Sequence, residues 1–177
     1  MEQPVAIHFR WTAEEMSQAY SYHFRHTCRP AFRVGLNFLF GVILAGGVLM
    51  IISSGPSGKA PLPVSIGFLL VGIYWFALRQ PVRRWSIRRE FAKRPDKDLE
   101  LEWQITPERL AVKCTAGSSE QTWQLIRKVV RTPVGILLYS TEQIYNWLPR
   151  HGFSGDSDFE RLSEIAKSKV QRFYHVV

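Results

Sequence analysis

Two long apolar runs dominate the hydrophobic pattern of this chain. They cover residues 34–53 and 62–78, contain no Asp, Glu, Lys, Arg or His, and are separated by the turn-forming segment 54–61. Twenty helical residues rise about 30 Å, the thickness of the hydrocarbon core of a bilayer. Because unpaired backbone amides are not tolerated in lipid, each run is expected to be helical. The pattern predicts a transmembrane helical hairpin, and the alternative is a buried hairpin inside a soluble core.

The segment before the hairpin combines a strand pattern with a helix pattern. Residues 5–11 alternate apolar and polar side chains, which is typical of a half-buried strand. Thr12 followed by Glu15 fits a capping box, in which each residue satisfies a free backbone donor of the other at a helix start. We therefore expect a helix over residues 13–27, ended or kinked by Pro30.

After the boundary at residues 95–98, the period of the apolar positions changes to two. Residues 99–105 alternate clearly, and further strands are expected at 110–114, 136–140 and 144–148. Turns are expected at 106–109, 116–120, 133–135 and 141–143. The pattern is expected to continue over residues 121–126 and 127–132, with Trp123, Ile126, Val129 and Val130 in the core. A final helix is expected to open at 154–158, with an apolar stripe formed by Phe159, Leu162, Ala166, Val170 and Phe173.

These elements predict an α+β membrane protein. It would contain a two-helix transmembrane hairpin and a small antiparallel β domain of four or five strands, closed by a C-terminal helix. The strand at 5–11 can join the same sheet. The predicted segments are 1–33 (strand and amphipathic helix), 34–78 (hairpin), 79–97 (basic juxtamembrane segment) and 98–177 (cytoplasmic β domain).

The net charge of the chain is +8, and the positions of the basic residues indicate how the predicted hairpin is oriented in the membrane. Basic residues crowd beside both apolar runs, whereas the connecting loop carries only Lys59. By the positive-inside rule, both termini are expected on the cytoplasmic side of a multi-pass protein. The basic residues proposed to contact anionic lipid headgroups, or only to set topology, are Arg79, Arg83, Arg84, Arg88 and Arg89. Nucleic-acid binding is disfavoured because the chain has no recognition-module signature.

Polar and small residues within the runs suggest little chemistry. No ionisable side chain is present, which argues against a proton or ion relay within one protomer. Asn37 is the most polar feature of the first run and is expected near the interface. Gly41 and Ala45 lie four residues apart and could let the two helices, or two protomers of a homo-oligomer, approach closely.

Candidate reactive residues form no recognised constellation. Cys28 and Cys114 are far apart and not in a CxxC motif, so no disulfide framework and no metal or other cofactor is expected. His23 and His26 could share a metal on one helix, but no third ligand is near in sequence, so both are expected to be solvated juxtamembrane histidines. His151 and His8 could act as bases only if folding brings a carboxylate to them. Three tryptophans are expected in the core, with a ligand platform as the alternative: Trp103, Trp123 and Trp147.

Short motifs in the last third of the chain resemble a known family. They are 105–108 (Ile-Thr-Pro-Glu), 123–126 followed by Lys128-Val129, 137–139 (Leu-Leu-Tyr), and 148–153, where Leu-Pro-Arg precedes Phe153. In these motifs the chain resembles the YcxB-like C-terminal domain of bacterial membrane proteins. The resemblance implies a location in the bacterial cytoplasmic (inner) membrane and a pleckstrin-homology-like sheet. It implies no catalytic residues.

The function expected from the sequence is binding. A membrane-anchored cytoplasmic domain would recognise a protein partner or anionic lipid headgroups. One alternative is a membrane-bound enzyme whose residues assemble only in three dimensions. The other is a small subunit of an oligomeric transport or channel complex, since two spans alone cannot enclose a pathway.

Overall fold

A computed structural model describes residues 4–54, 62–95 and 97–176 of the chain. They form an α+β fold with two compact units, one of them Thr27–Arg89 and the other Met1–His26 together with Glu90–Val177. Most of the predicted hairpin loop, residues 55–61 with Lys59, lies outside the described residues. We call the two units the helical unit and the sheet domain.

The helical unit contains the two apolar runs. Helix α2 spans Pro30–Ser54, and a second continuous helix runs through α3 (Leu62–Ile73), a π-helical turn (Tyr74–Leu78) and α4 (Arg79–Phe91). The residues from 30 to 53 and from 63 to 91 are long and apolar enough to cross a membrane, judged by length and composition. The basic segment after the second run therefore continues that run as helix.

The π-helical turn has a local cause in the sequence. The Arg79 N–H donates to Tyr74 O, five residues back, and Pro81 follows two residues later. Proline has no N–H to donate and its ring clashes with the carbonyl four residues before it, here Ala77. One wide turn re-routes the hydrogen bonds ahead of the proline, as insertions of this kind do in other helices.

The close approach of α2 and α3 occurs at glycines. A Cβ atom at Gly47 would lie 3.0 Å from Phe68 Cβ and 3.2 Å from the Leu69 backbone nitrogen, and one at Gly72 would meet Leu44. A Cβ at Gly41 would meet no atom of the described chain within 4 Å. The approach within the hairpin therefore depends on Gly47 rather than Gly41, and a protomer contact at Gly41 stays a prediction.

The sheet domain begins with an antiparallel sheet of four strands. These are β1 (Val5–Arg10), β2 (Glu100–Ile105), β3 (Arg109–Cys114) and β4 (Gly117–Thr122), paired in that order. The expected strand at 5–11 does join it, since Ile7 lies opposite Trp103. The turn expected at 116–120 is wrong, because those residues mostly form β4. This edge strand carries no alternating apolar side chains, so its sequence lacks the usual strand signal.

A second sheet contains the remaining strands in the order β7, β6, β5, β8. Their bounds are β5 (Lys128–Thr132), β6 (Gly135–Tyr139), β7 (Tyr145–Pro149) and β8 (Arg172–His175), with β8 parallel to β5 and the other pairs antiparallel. The predicted single sheet of four or five strands is therefore wrong, since the described residues form two sheets of four strands each.

Helices cover the second sheet. Helix α1 spans Ala13–Thr27, as predicted, and α5 spans Asp156–Lys169. The apolar stripe assigned to the last helix continues too far, because Val170 is already extended and Phe173 lies on β8. Both side chains still pack against the core. The spacing of apolar residues therefore predicted correctly that they are buried, but it did not predict where the helix ends.

The core divides between the two faces of the second sheet. On one face Val129 and Ile136 pack with the first sheet and with Phe159 and Leu162 of α5. On the other face Val130 and Leu137 pack with Ala19 of α1. The expected core residues Trp103, Trp123, Ile126 and Trp147 are all buried. Burial on both faces explains why β6 is apolar along its whole length.

Candidate functional site

The predicted headgroup residues surround α4 and do not form a single stripe. At about 100° per residue, Arg79 and Arg83 share one side of the helix. Arg84 and Arg88 lie on roughly the opposite side, and Arg89 lies between the two pairs. Arg79 and Arg83 are half-buried, whereas the other three are exposed. We call these five residues the arginine collar.

Aromatic rings support the collar. The Arg79 guanidinium carbon lies 4.1 Å from the ring centroid of Trp75, and that of Arg89 lies 5.4 Å from the ring centroid of Trp85. Trp85 is 61% exposed. Tryptophan beside arginine is the composition typical of a membrane–water interface, where the ring is amphipathic and the cation reaches the headgroups.

Trp75 also ties the two apolar helices together. Its ring stacks on Phe40 at 3.8 Å between centroids, and its Nε1–H donates to Asn37 Oδ1 at 3.1 Å. The polar residue that the sequence singled out in the first run therefore has a partner on the second helix. Trp75 lies in the π-helical turn, one turn before Arg79. The same side chain therefore contacts both the first apolar helix and an arginine of the collar.

A second cluster lies in the sheet domain, where α1 covers the second sheet. His23 Nδ1 is 2.9 Å from the Tyr139 hydroxyl, and the His23 ring stacks on Tyr145 at 4.8 Å. His26 lies 4.8 Å from the Tyr174 ring. We call this group, together with Lys128 and Glu142, the histidine–tyrosine cluster. From the sequence, these two histidines were expected to be solvated juxtamembrane side chains or metal ligands, and their aromatic partners on distant strands were missed.

Lys128 provides the charge of this cluster. Its side chain is 9% exposed, its Nζ donates to Glu142 Oε2 at 2.9 Å, and it lies 4.3 Å from the Tyr139 ring centroid. Burial, followed by the charge of Lys128, lowers the pKa of both His23 and His26. The Lys128 hydrogen bond lowers the pKa of exposed Glu142, and burial raises that of Tyr139. One feature of the sequence could have indicated this cluster: Lys128 is the first residue of β5, a strand that is otherwise mostly buried.

Glu15 is a buried carboxylate at the other end of α1. Its Oε2 accepts the Trp147 indole N–H at 2.5 Å, and its Oε1 is 3.6 Å from His151 Nδ1. The carboxylate that the sequence lacked for His151 is therefore present, although His151 itself is 64% exposed. Since Glu15 already holds Trp147, its geometry fits a tie between α1 and β7 better than an acid–base pair.

The remaining predicted chemistry can be located. The described residues contain no group of three or more His, Cys, Asp or Glu side chains able to hold a metal ion. Cys28 and Cys114 are free thiols. His8 lies opposite Glu102 on neighbouring strands at an exposed position.

Comparison of the chain with protein-family models, with curated proteins and with solved structures finds no match. The features of this chain that bear on its function are therefore the arginine collar and the apolar helices.

Proposed function

We propose that this chain is a membrane-anchored protein whose two apolar helices cross a bilayer. The support is exposure: only 6% of the first candidate span and 11% of the second are buried. Phe38 is 73% exposed and Ile52 is 70% exposed. Helices this apolar would aggregate in water, whereas lipid accepts the same surface without cost. The alternative of a buried hairpin in a soluble core requires buried helices.

The proposed location is the bacterial cytoplasmic membrane, with both termini in the cytoplasm. The orientation rests on the arginines that flank the two runs and on the single Lys59 between them. Membership of the YcxB-like family rests on the motifs around Trp123, Tyr139 and Phe153. A pleckstrin-homology-like shape is supported by two sheets that share one core with a helix. Experimental structures of this sheet domain and of a YcxB-like domain, determined and superposed, would test both.

The proposed role is binding, with the sheet domain held at the leaflet to recognise a protein partner or anionic lipid headgroups. The observation that carries the lipid version is the arginine collar, with its neighbouring tryptophans, directly after an uncharged helix. Each arginine near an anionic surface contributes about 1 kcal/mol of attraction. A collar that surrounds the helix can contact headgroups on every side, which a single basic stripe cannot do.

Topology is tested by cysteine labelling in intact spheroplasts. Cys114 should react with a membrane-impermeant maleimide only after permeabilisation, in a Cys28→Ser background. A Ser57→Cys substitution in a Cys28→Ser, Cys114→Ser background should react without permeabilisation. Reaction of Cys114 in intact cells would contradict the orientation, and release of the protein by alkaline carbonate would contradict the anchor.

Lipid binding is tested by native mass spectrometry of protein released from mild detergent. Wild type should retain phosphatidylglycerol in preference to phosphatidylcholine, and Arg83→Gln, Arg84→Gln, Arg88→Gln and Arg89→Gln together should abolish the preference. Arg109→Gln, Arg127→Gln, Lys167→Gln and Lys169→Gln together, all at exposed positions of the sheet domain, remove the same four charges and serve as the control. An unchanged preference in the collar variant would leave protein binding as the role. The mass of the complex also tests the transport-subunit alternative, which a monomer would contradict.

A further inference from the structure

Exposed apolar side chains of the sheet domain gather near one end of the second sheet. Ile144, in the loop between β6 and β7, is 65% exposed, and Leu125, just before β5, is 57% exposed. The other large apolar side chains that are exposed in the described part of this domain are Tyr20, Tyr174 and Val134. Val134 lies at the opposite end of the sheet, in the turn between β5 and β6. One exposed apolar side chain is ordinary, whereas a group of them marks an interaction surface.

Ring contacts bring Tyr20 of α1 close to the loop that carries Ile144. The centroid of the Tyr20 ring lies 6.4 Å from that of His23. The His23 ring in turn stacks on Tyr145, the residue that follows Ile144. Two apolar side chains that are 124 residues apart in the sequence therefore lie at the same end of the sheet.

The segment that carries Leu125 reaches this end from the other side. The Arg127 N–H donates to Tyr139 O, and Tyr139 is the last residue of β6 before the loop. Leu125 precedes this bond by two residues, so it lies before the start of β5, where the β6–β7 loop also lies. We call the side chains of Tyr20, Leu125 and Ile144 the apolar rim.

Helix α1 runs towards the apolar rim. Near its start, Glu15 accepts the indole N–H of Trp147, which lies well inside β7. About two turns later, His23 meets Tyr145, the first residue of that strand. The helix therefore leaves the sheet at the end that carries the rim.

The chain enters the first candidate span directly after α1. The helix ends at Thr27, and the candidate span begins at Pro30. Three residues of fully extended chain reach at most about 11 Å. If α2 crosses the bilayer as proposed, the end of α1 must therefore lie close to the surface of the cytoplasmic leaflet, and the rim lies at that end of the sheet domain.

We propose that the apolar rim docks on this leaflet, with Leu125 and Ile144 inserted into the interface and Tyr20 at the level of the headgroups. Aliphatic side chains at the acyl boundary and tyrosine at the headgroups are the usual composition of an interfacial contact. The inference rests on the proposed function and adds a fixed orientation of the sheet domain. Because the anchor keeps the domain beside lipid, a small apolar contact is enough to dock it. The contact needs no anionic lipid, unlike the arginine collar.

The first experiment uses the full-length protein in nanodiscs of phosphatidylcholine, which remove the headgroup charge that the collar would bind. A nitroxide is attached at Ile144→Cys or, as the matched control at the other end of β6, at Val134→Cys, both in a Cys28→Ser, Cys114→Ser background. Oxygen concentrates in lipid and a water-soluble nickel chelate is excluded from it. The ratio of their collision rates with the nitroxide should be at least about threefold higher at Ile144→Cys than at Val134→Cys. Equal ratios would overturn the proposal.

A second label separates docking by the rim from the affinity of the nitroxide itself for lipid. With the nitroxide at Gln143→Cys, the pair Leu125→Asn and Ile144→Asn should lower the ratio about threefold, whereas Val134→Asn should leave it unchanged. All three substitutions are at exposed positions, so the fold is retained. The same ratio in the double variant and in its parent would refute docking by the rim.

Two other outcomes are distinguished by the same measurements. A second copy of the chain or another protein covering the rim would lower both collision rates together without raising their ratio, and that result would also overturn the proposal. Extraction with alkaline carbonate is measured in parallel. Protein that resists extraction but gives equal ratios would contradict only the docking, whereas released protein would contradict the membrane anchor as well.

Discussion

Trp147 donates its indole N–H to the carboxylate of Glu15 at 2.5 Å, across 132 residues of sequence. Glu15 was predicted to complete a capping box with Thr12. Half of the box is present, since the Glu15 N–H donates to Thr12 Oγ1 at 3.3 Å. The other half is replaced, because the Glu15 carboxylate holds β7 instead of returning to the helix start. One residue therefore both begins α1 and attaches it to the second sheet.

The Glu15–Trp147 bond should contribute measurably to the stability of the sheet domain. Glu15→Ala is expected to lower the free energy of unfolding by about 2 kcal/mol, because a buried charge-assisted hydrogen bond is lost. Trp147→Phe should cost more, through lost packing, and the double variant should show coupling of about 1 kcal/mol. Urea unfolding followed by near-ultraviolet circular dichroism measures these changes. Gln18→Ala, at an exposed position of α1, is the control, and additive losses would contradict the bond.

Acidification should loosen α1 from the second sheet. Because folding lowers the pKa of His23 and His26, the unfolded chain binds protons first as the pH falls below about 6.5. Stability is therefore expected to be constant above that pH and to fall below it. The groups facing the two histidines are Lys128 on β5, Tyr139 on β6, Tyr145 on β7, Tyr174 on β8, and Glu142 in the loop between β6 and β7.

The contribution of the two histidines to the pH dependence can be separated from that of Glu142. The lowered pKa of Glu142 also removes stability on acidification, but only below about pH 4.5. The pair His23→Gln and His26→Gln should flatten the profile between pH 7 and pH 5 while leaving that lower transition in place. His8→Gln, at an exposed position of β1, should retain the wild-type profile. Hydrogen exchange of α1 amides at pH 7.0 and pH 5.5 provides the measurement, and equal protection at both would refute the prediction.

Helix packing in the helical unit should depend on one glycine. Gly47→Ile is expected to destabilise the pairing of α2 and α3 by about 1–3 kcal/mol, because its Cβ meets backbone atoms that cannot move aside. Gly41→Ile makes the same chemical change where the described chain leaves open space. Reversible unfolding in mixed micelles should separate the two variants. Equal stabilities would show that the helices do not approach at Gly47.

The Asn37–Trp75 hydrogen bond should hold the helix ends together. Asn37→Leu is expected to cost about 1 kcal/mol, within the range measured for single side-chain bonds between membrane helices. Trp75→Phe keeps a ring between Phe40 and Arg79 but removes the donor. The double variant with Asn37→Leu should therefore lose less stability than the sum of the losses in the two single variants. Distances between spin labels on the two helices report the effect. Unchanged distances and stability in Asn37→Leu would show that this hydrogen bond does not hold the two helices together.

Local patterns predicted the elements whose burial has one simple period. The bounds of α1 matched the prediction because the spacing of Met16, Ala19 and Tyr20 is helical and Thr12 precedes it. Strand β2 was likewise evident from its alternation. Strands β4 and β8 were missed for opposite reasons. Strand β4 is polar on both faces, and Phe173 of β8 continues the spacing of the preceding helix by coincidence.

By itself, the sequence determined where the two apolar runs lie, where the arginines gather and which tryptophans are buried. Each of these properties depends on neighbours within a few residues, so it can be predicted from the local composition and from the period of the apolar positions. Only the tertiary structure decided that the strands divide into two sheets, and that Glu15 holds Trp147. It also decided that His23 meets Tyr139 across 116 residues and that the end of α1 lies beside the loop that carries Ile144. These contacts join distant segments, and no local spacing encodes a partner that the fold alone brings near.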